Sequence, residues 1–450
     1  MSDGLKYQMK ALLVAYYFPP FGSPQSIRWI HLVKQLAASG WVFDVLTIQA
    51  LPNRPDYDPE LLSLINKEAV TFYRTYPGPI AVNKRYNSSP PNQQKVSSSL
   101  ARLKWRPLIK RVYRAMVRPL LIPDDEVEWT PWAVRTGRDL LAKNHYDVVI
   151  SSAPPMSTHL ATLLMLKGKN TPWVADYGDP WVFNPMQKVP GWRITLDRQL
   201  ETMVLRRISK MIVTTEACRQ TYLQHYRWLV PEKVKVIPQG AGVSPAELNL
   251  PANNCPPDRM YLVHTGSFYE EGRDATPLLE AMALLKDLPI ELILVGNLSD
   301  YYQKLIFSLG LSQQIICTGY VNHQKALGYQ QKADLLIYFS NISPYQIPGK
   351  LFEYLSARRP ILGITYHETD DGSELIKNYR RGIVVGRQPQ RIAEEIRRLF
   401  QLWQTGDLSG HFNLEPVTDF HWDKLAERLH TVLLDAIRDF QAAPQRQISL

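Results

Sequence analysis

Cysteine is scarce in this chain. Cys218, Cys255 and Cys317 are the three among 450 residues, and they lie far apart without ligand spacing. That argues against a disulfide framework and against a zinc site. No apolar run reaches the roughly 18 residues that a membrane-spanning helix needs. The stretch from Met1 to Lys10 is polar and holds no apolar signal-peptide core, so the expected location is the cytoplasm. No G-x-G-x-x-G follows a strand-like run, which weighs against a plain dinucleotide-dependent dehydrogenase. No solenoid-type repeat is visible, and no cluster of residues at metal-ligand spacing, so neither a metal nor a cofactor is expected.

What the chain does hold is enough apolar residue, 45%, to build a core in each of two or three domains. Charge is uneven. Residues 1–250 carry 32 Lys/Arg against 19 Asp/Glu, and residues 251–450 carry 20 against 23. The basic first half calls for an anionic partner: a membrane surface, an anionic acceptor or a nucleic acid.

Short apolar runs alternate with stretches of helical period. Ala11–Phe18, Phe43–Ile48, Asp147–Ser152, Met211–Thr214 and Val234–Ile237 form one series. Tyr261–Thr265, Ile290–Val295, Asp334–Phe339, Pro360–Thr365 and Gly382–Val385 form a second. Runs that are apolar throughout suit parallel strands covered on both faces. The expected fold class is therefore α/β: two Rossmann-like, doubly wound domains facing a central cleft. A Pro-, Gly- and Asn-rich stretch marks the break. The expected boundaries are 1–240, a linker 241–258, a second domain 259–412, and a helical tail 413–450 with its periodic part at Lys424–Phe440.

Four stations carry candidate chemistry. After the first strand, Tyr16-Tyr17-Phe18-Pro19-Pro20 leads to Gly22 and Ser23 at the start of a helix. This is either a rigid turn or a loop whose amides meet a phosphate or sugar hydroxyls. Trp173–Trp181 ends a strand with Asp176, Gly178 and Asp179. A strand-end carboxylate suits polar recognition or acid–base work, while Asp179 as a turn cap is the plainer reading. Gly266, Ser267 and Arg273 follow the strand Tyr261–Thr265, ahead of a helix with Thr276 as its expected cap. A close-approaching backbone and an arginine fork fit a diphosphate. Finally, Pro348-Gly349 launches a short helix on which Lys350 and Glu353 share one face. Glu353 offers two acceptors to the adjacent hydroxyls of a ribose, and Lys350 offers charge to a phosphate; a surface ion pair is the bland alternative. His159 and His264 read as core or capping histidines.

The stretches YYFPPFGSPQSIRW, ISSAPPMSTHL, PWVADYGDPW, KVIPQG, HTGSF, VGN and PGKLFEYLSARRPIL together resemble the family 4 glycosyltransferases of GT-B fold, specifically members with a Tyr-Tyr-Phe-Pro-Pro N-terminal loop. The likeness covers nearly the whole chain. It implies a nucleotide-sugar donor bound in the C-terminal domain, an acceptor bound in the N-terminal one, and transfer with retention and without a metal. Glu353 matches the second Glu of the family's E-x7-E motif, which holds the donor ribose. Lys350 matches the lysine of the Lys-x-x-Glu variant, and Gly266, Ser267 and Arg273 match the diphosphate loop. Asp179 adjoins a position where many members have a catalytic-region His or Arg and this chain has Gly178. Tyr345 stands in the place of the first motif Glu.

Two other readings remain: a nucleotide-sugar epimerase, and a non-catalytic nucleotide-sugar-binding scaffold suggested by Tyr345 and Gly178. Nucleic acid binding would explain the charge but not the cleft motifs, and is not expected. Between Glu68 and Asp124 there are 11 Lys/Arg and no acid. Within that stretch residues 107–118 form a basic amphipathic pattern. It suggests docking on an anionic membrane, at its inner face, toward a sugar or lipid-linked acceptor for polysaccharide or glycolipid synthesis.

Overall fold

The computed structural model describes residues 8–83, 120–184, 189–242, 258–268, 272–367 and 369–442. The amphipathic segment 107–118 and most of the linker 241–258 lie outside them.

Two wholly parallel sheets are present among the described residues. The first contains β1 (Lys10–Ala15), β2 (Val42–Ile48), β3 (Val70–Thr75), β4 (Val148–Ala153), β5 (Trp173–Tyr177), β6 (Lys210–Val213) and β7 (Val234–Val236), in the order β3-β2-β1-β4-β5-β6-β7. The second contains β8 (Met260–Thr265), β9 (Ile290–Val295), β10 (Ile315–Gly319), β11 (Leu335–Phe339), β12 (Ile361–Ile364) and β13 (Gly382–Val385), in the order β10-β9-β8-β11-β12-β13. In each sheet the winding direction reverses beside the first strand, between β1 and β4 and between β8 and β11. Open α/β sheets bind ligands outside the carboxyl ends of their strands at such a reversal.

The inner strands are buried along their length: every residue of β4, β5, β8 and β11 is buried. Helices cover both faces of the second sheet, giving one apolar cluster around Leu278, Leu292, Leu335 and Ile396 and another around Val263, Leu336, Leu351 and Ile361. Each fully buried Leu or Ile of this kind contributes about 1.5–3 kcal/mol before the entropy of ordering is subtracted.

The chain divides into two compact units. One comprises Met1–Thr214, Arg219–Ile237 and Ala426–Leu450; the other comprises Thr215–Cys218 and Pro238–Leu425. The C-terminal helix Trp422–Ala442 is thus not a free-standing tail, since its part from Ala426 belongs with the first unit. There His430 accepts a hydrogen bond through Nδ1 from the indole of Trp41 at 2.8 Å, and Asp439 pairs with Lys210 at 2.7 Å.

One buried charge organises the first unit. Asp176, at the end of β5, is fully buried and receives hydrogen bonds from Gln25 Nε2 at 2.7 Å and Trp29 Nε1 at 2.8 Å. Arg28, 1% exposed, pairs with it at 3.2 Å and donates as well to the carbonyl of Ile237 at 2.9 Å. Three residues of the helix Pro24–Ala38 are thereby tied to β5. Asp176 is an anchor of this helix.

Candidate functional site

In the second unit the side chains expected to hold a nucleotide converge on the carboxyl ends of β8 and β11. Beyond β8, Gly266 has φ +147 and donates its N–H to the Val295 carbonyl at 2.8 Å. Gly296, after β9, lies so near that an added Cβ would stand 2.3 Å from the Gly266 carbonyl oxygen. The loop Gly266-Ser267 keeps its course because both strand ends are glycine. Arg273 then reaches toward the end of β11, where its Nη2 donates to Asn341 Oδ1 at 3.3 Å. Its Nη1 comes within 3.4 Å of the place a Gly266 side chain would take.

The N-cap position of the following helix, Thr276–Ala283, is Ala275, not Thr276, and the carboxylate beside it is that of Asp274. Asp274 Oδ1 accepts from the Thr276 N–H at 2.9 Å and from its hydroxyl at 2.7 Å. An acid at this position also favours the positive helix end.

Lys350 and Glu353 open the helix Lys350–Ser356 as the Pro-Gly turn predicts. Lys350 Nζ spans both carboxylate oxygens, at 3.0 and 2.9 Å. The pair is no solvated surface contact, since the Glu353 side chain is 17% exposed and also accepts from Gln330 Nε2 at 2.8 Å. Gln330, fully buried, donates in turn to Thr265 Oγ1 at 3.1 Å. The Thr265 N–H donates to the Tyr354 hydroxyl at 2.8 Å. Glu353 is thereby fixed against the end of β8, on the side of the Gly266 loop. Gln330, Asn341 and Tyr354 are parts of this site that no spacing in the sequence singled out.

His264 is a core residue, as expected. Its Nδ1 lies 2.9 Å from the Ile337 carbonyl, so it carries the proton and donates, and the ring stacks on Phe268 at 4.4 Å. Burial, followed by the nearby charges of Arg273 and Lys350, pushes its pKa down to about 3 and keeps it neutral. His159 is the counterpart in the first unit. It is buried beside Tyr177, bonded through Nδ1 to Ser151 Oγ at 2.8 Å, and held down to about 3 by burial.

The remaining candidates belong to the first unit. Gly22 and Ser23 are engaged internally. The Gly22 N–H donates to the Asp56 carbonyl at 2.6 Å, and Ser23 Oγ accepts from the Ser26 N–H as the cap of the helix Pro24–Ala38. Of the loop amides expected to meet a phosphate or sugar hydroxyls, that of Gly22 is thus already engaged. Asp179 is half-buried between Gly178 and Pro180, beyond β5. Gly178 has a steric reason: a Cβ there would lie 2.4 Å from Gln25 Oε1 and 2.9 Å from the Ala153 carbonyl oxygen. No side chain fits where many relatives carry His or Arg.

Comparison with known proteins bears on this arrangement. The family described as "Glycosyltransferase Family 4" matches residues 25–244, and that described as "Glycosyl transferases group 1" matches residues 259–401. No curated protein matches the sequence. Among solved structures, a sucrose-phosphate synthase from Thermosynechococcus elongatus superposes with a TM-score of 0.64 at 18% identity, covering 97% of this chain and 100% of that one. A glycosyltransferase from Rickettsia africae gives 0.65 at 14% identity, over 96% of this chain and 100% of that one. A UDP-GlcNAc 2-epimerase from Neisseria meningitidis, bound to UDP-GlcNAc, gives 0.57 at 15% identity, over 95% of this chain and 100% of that one. At these identities the superpositions establish the two-domain Rossmann-like fold, while the two sequence families, which match successive stretches of the chain, agree on glycosyl transfer. The chain belongs to the group 1 glycosyltransferases of family 4.

Proposed function

We propose that this glycosyltransferase binds its nucleotide-sugar donor in the second unit and passes the sugar, with retention, to an acceptor hydroxyl bound in the first. The observation that carries the reading is the Lys350–Glu353–Gln330 chain fixed at the end of β8 beside the Gly266–Arg273 loop. In our assignment Glu353 accepts from the ribose hydroxyls. Lys350, Arg273 and the Ser267 amide, which the glycine at 266 lets the diphosphate approach, meet the diphosphate, whose charge grows as the leaving group departs. Because cationic side chains are available for that charge, we propose that transfer requires no metal. The epimerase of similar fold, whose structure holds UDP-GlcNAc, supports a nucleotide sugar as ligand but favours no epimerase activity here.

The deciding experiment incubates the protein with nucleotide sugars, with and without an acceptor panel, in the presence and absence of EDTA. Transfer that persists in EDTA supports the reading. An epimerised nucleotide sugar without acceptor, or binding without turnover across the panel, overturns it. Within the same assay Asp179→Asn should lower turnover about 10- to 100-fold, the scale of one lost charged hydrogen bond, and leave nucleoside diphosphate binding intact. Full activity in that variant would assign Asp179 to the turn alone.

We further propose a lipid-linked acceptor in polysaccharide or glycolipid synthesis, reached by docking the first unit on an anionic membrane through residues 107–118. The 11 Lys/Arg without an acid between Glu68 and Asp124 support it. So does the helix Gly191–Arg207, which leaves Trp192, Leu196 and Met203 exposed on one side (49%, 40% and 45%). No helix among the described residues is long and apolar enough to cross a membrane. Each basic residue near an anionic leaflet contributes about 1 kcal/mol, screened by salt. Reversing Lys110, Arg111, Arg114 and Arg118 to Glu should abolish co-sedimentation with anionic vesicles at low salt. Equal binding to neutral and anionic vesicles would remove the membrane from the account.

A further inference from the structure

Arg273 lies between β8 and the helix Thr276–Ala283, outside regular structure. A loop arginine keeps one direction only where the backbone on each side of it is held. Both of its neighbours are held. Before it, the Gly272 carbonyl accepts from the Tyr366 hydroxyl at 2.7 Å. Gly272 is buried, and a buried carbonyl without such a donor is costly. After it, Arg387 Nη2 donates to Asp274 Oδ2 at 2.8 Å and to the Asp274 carbonyl at 3.3 Å. The two outer residues also hold each other, with the guanidinium carbon of Arg387 4.1 Å from the centre of the Tyr366 ring.

Strand order explains how they meet. Tyr366 follows β12 and Arg387 follows β13, and these strands pair in parallel with Ile364 opposite Val385. Tyr366 is itself fixed to the end of β11, where its N–H donates to Ser340 Oγ at 3.0 Å. The next residue, Asn341, takes Arg273 Nη2. The ends of β11, β12 and β13 are thus all tied to the residues around Arg273. Asp274 needs such a partner. It also accepts from the Thr276 N–H at 2.9 Å, the Thr276 hydroxyl at 2.7 Å and the Tyr302 hydroxyl at 3.1 Å. Its negative charge stands next in sequence to Arg273 and would repel a diphosphate there. The Arg387 guanidinium offsets that charge and keeps the carboxylate at the helix end.

We propose that Tyr366 and Arg387 form a two-point clamp that positions Arg273 for the donor diphosphate: Tyr366 holds the Gly272 carbonyl, and Arg387 holds and neutralises Asp274. The inference rests on the donor-site reading given above. It adds two positioning residues, neither of which lies in a stretch that resembles the family.

The test is calorimetry on the full-length chain with uridine, guanosine and adenosine diphosphates, beside saturation-transfer NMR with the matching nucleosides. Tyr366→Phe removes one hydroxyl and keeps the ring under Arg387. It should weaken the preferred nucleoside diphosphate about 3- to 10-fold, the scale of one neutral hydrogen bond, and leave its nucleoside unaffected. Arg387→Gln should weaken the diphosphate further, since Asp274 then keeps an unopposed charge. In an Arg273→Ala background Tyr366→Phe should cost no more affinity, because the clamp no longer holds a group that meets the ligand. Unchanged diphosphate affinity in Tyr366→Phe overturns the proposal. So does an equal loss for nucleoside and diphosphate, or a loss that persists undiminished without Arg273. Any of these makes Tyr366 a merely structural residue and leaves the donor-site reading standing. If no nucleoside diphosphate binds the wild type, or if Arg273→Ala binds it as well as the wild type does, that reading itself falls.

Discussion

Asp176→Ala should cost the first unit about 3–5 kcal/mol, the usual penalty for removing one member of a buried ion pair. The carboxylate is fully buried and collects hydrogen bonds from Gln25, Arg28 and Trp29 on one helix. Without it the Arg28 guanidinium, 1% exposed, keeps its charge in an apolar setting and loses its counter-ion. Asp176→Asn preserves the shape and should lose less. The double variant Arg28→Met with Asp176→Leu should recover much of the loss, because no lone charge stays buried. Urea titration followed by near-ultraviolet circular dichroism reads the effect as an earlier first transition. A single Ala variant that unfolds with the wild type would show that water reaches Arg28 and that the pair is not truly enclosed. Two roles are thereby separated: an anchor loses stability, whereas a residue that only contacts the acceptor loses transfer with stability intact.

Glu353→Ala should weaken nucleoside diphosphate binding about 10- to 100-fold, from the loss of a charged hydrogen bond worth roughly 1.5–3 kcal/mol. Two oxygens on one rigid helix can accept from two neighbouring hydroxyls, and Lys350 and Gln330 hold that carboxylate in place. Glu353→Gln retains the shape and should fall between wild type and Ala. Calorimetry with uridine, guanosine and adenosine diphosphates, and with pyrophosphate alone, locates the contact. If Glu353 holds the ribose, pyrophosphate binding does not weaken in Glu353→Ala. Unchanged affinity for the preferred nucleoside diphosphate in a folded variant would end the assignment.

Much of the scaffold was legible because buried parallel strands are apolar throughout, and the runs Ile290–Val295 and Gly382–Val385 coincide with β9 and β13. Two strands escaped. β3 and β10 are sheet edges, half-exposed, and Thr71, Arg74 and Thr75 in one, Thr318 and Gly319 in the other, break the apolar signal. The first apolar run was expected to reach Phe18, yet β1 ends at Ala15, since aromatic residues extend a run's hydrophobicity without extending its pairing. Lys350 and Glu353 were legible through a Pro-Gly turn and a three-residue spacing. Gln330, Asn341 and Tyr354 were not, because their place in the site comes from the order of strands in the sheet. Asp176 and Asp179 look alike in sequence, and only burial separates an enclosed anchor from a half-open carboxylate.

The return of the C-terminal helix to the first unit makes the second unit, topologically, an insertion. The chain builds the first sheet, leaves at Ile237, completes the second sheet, and comes back from Ala426. No single cut frees the first unit whole. A fragment ending at residue 240 would leave the Trp41 indole without His430 and Lys210 without Asp439. Excision of residues 238–425 with a short splice keeps those contacts, so a minimal first domain is to be sought by grafting rather than by truncation.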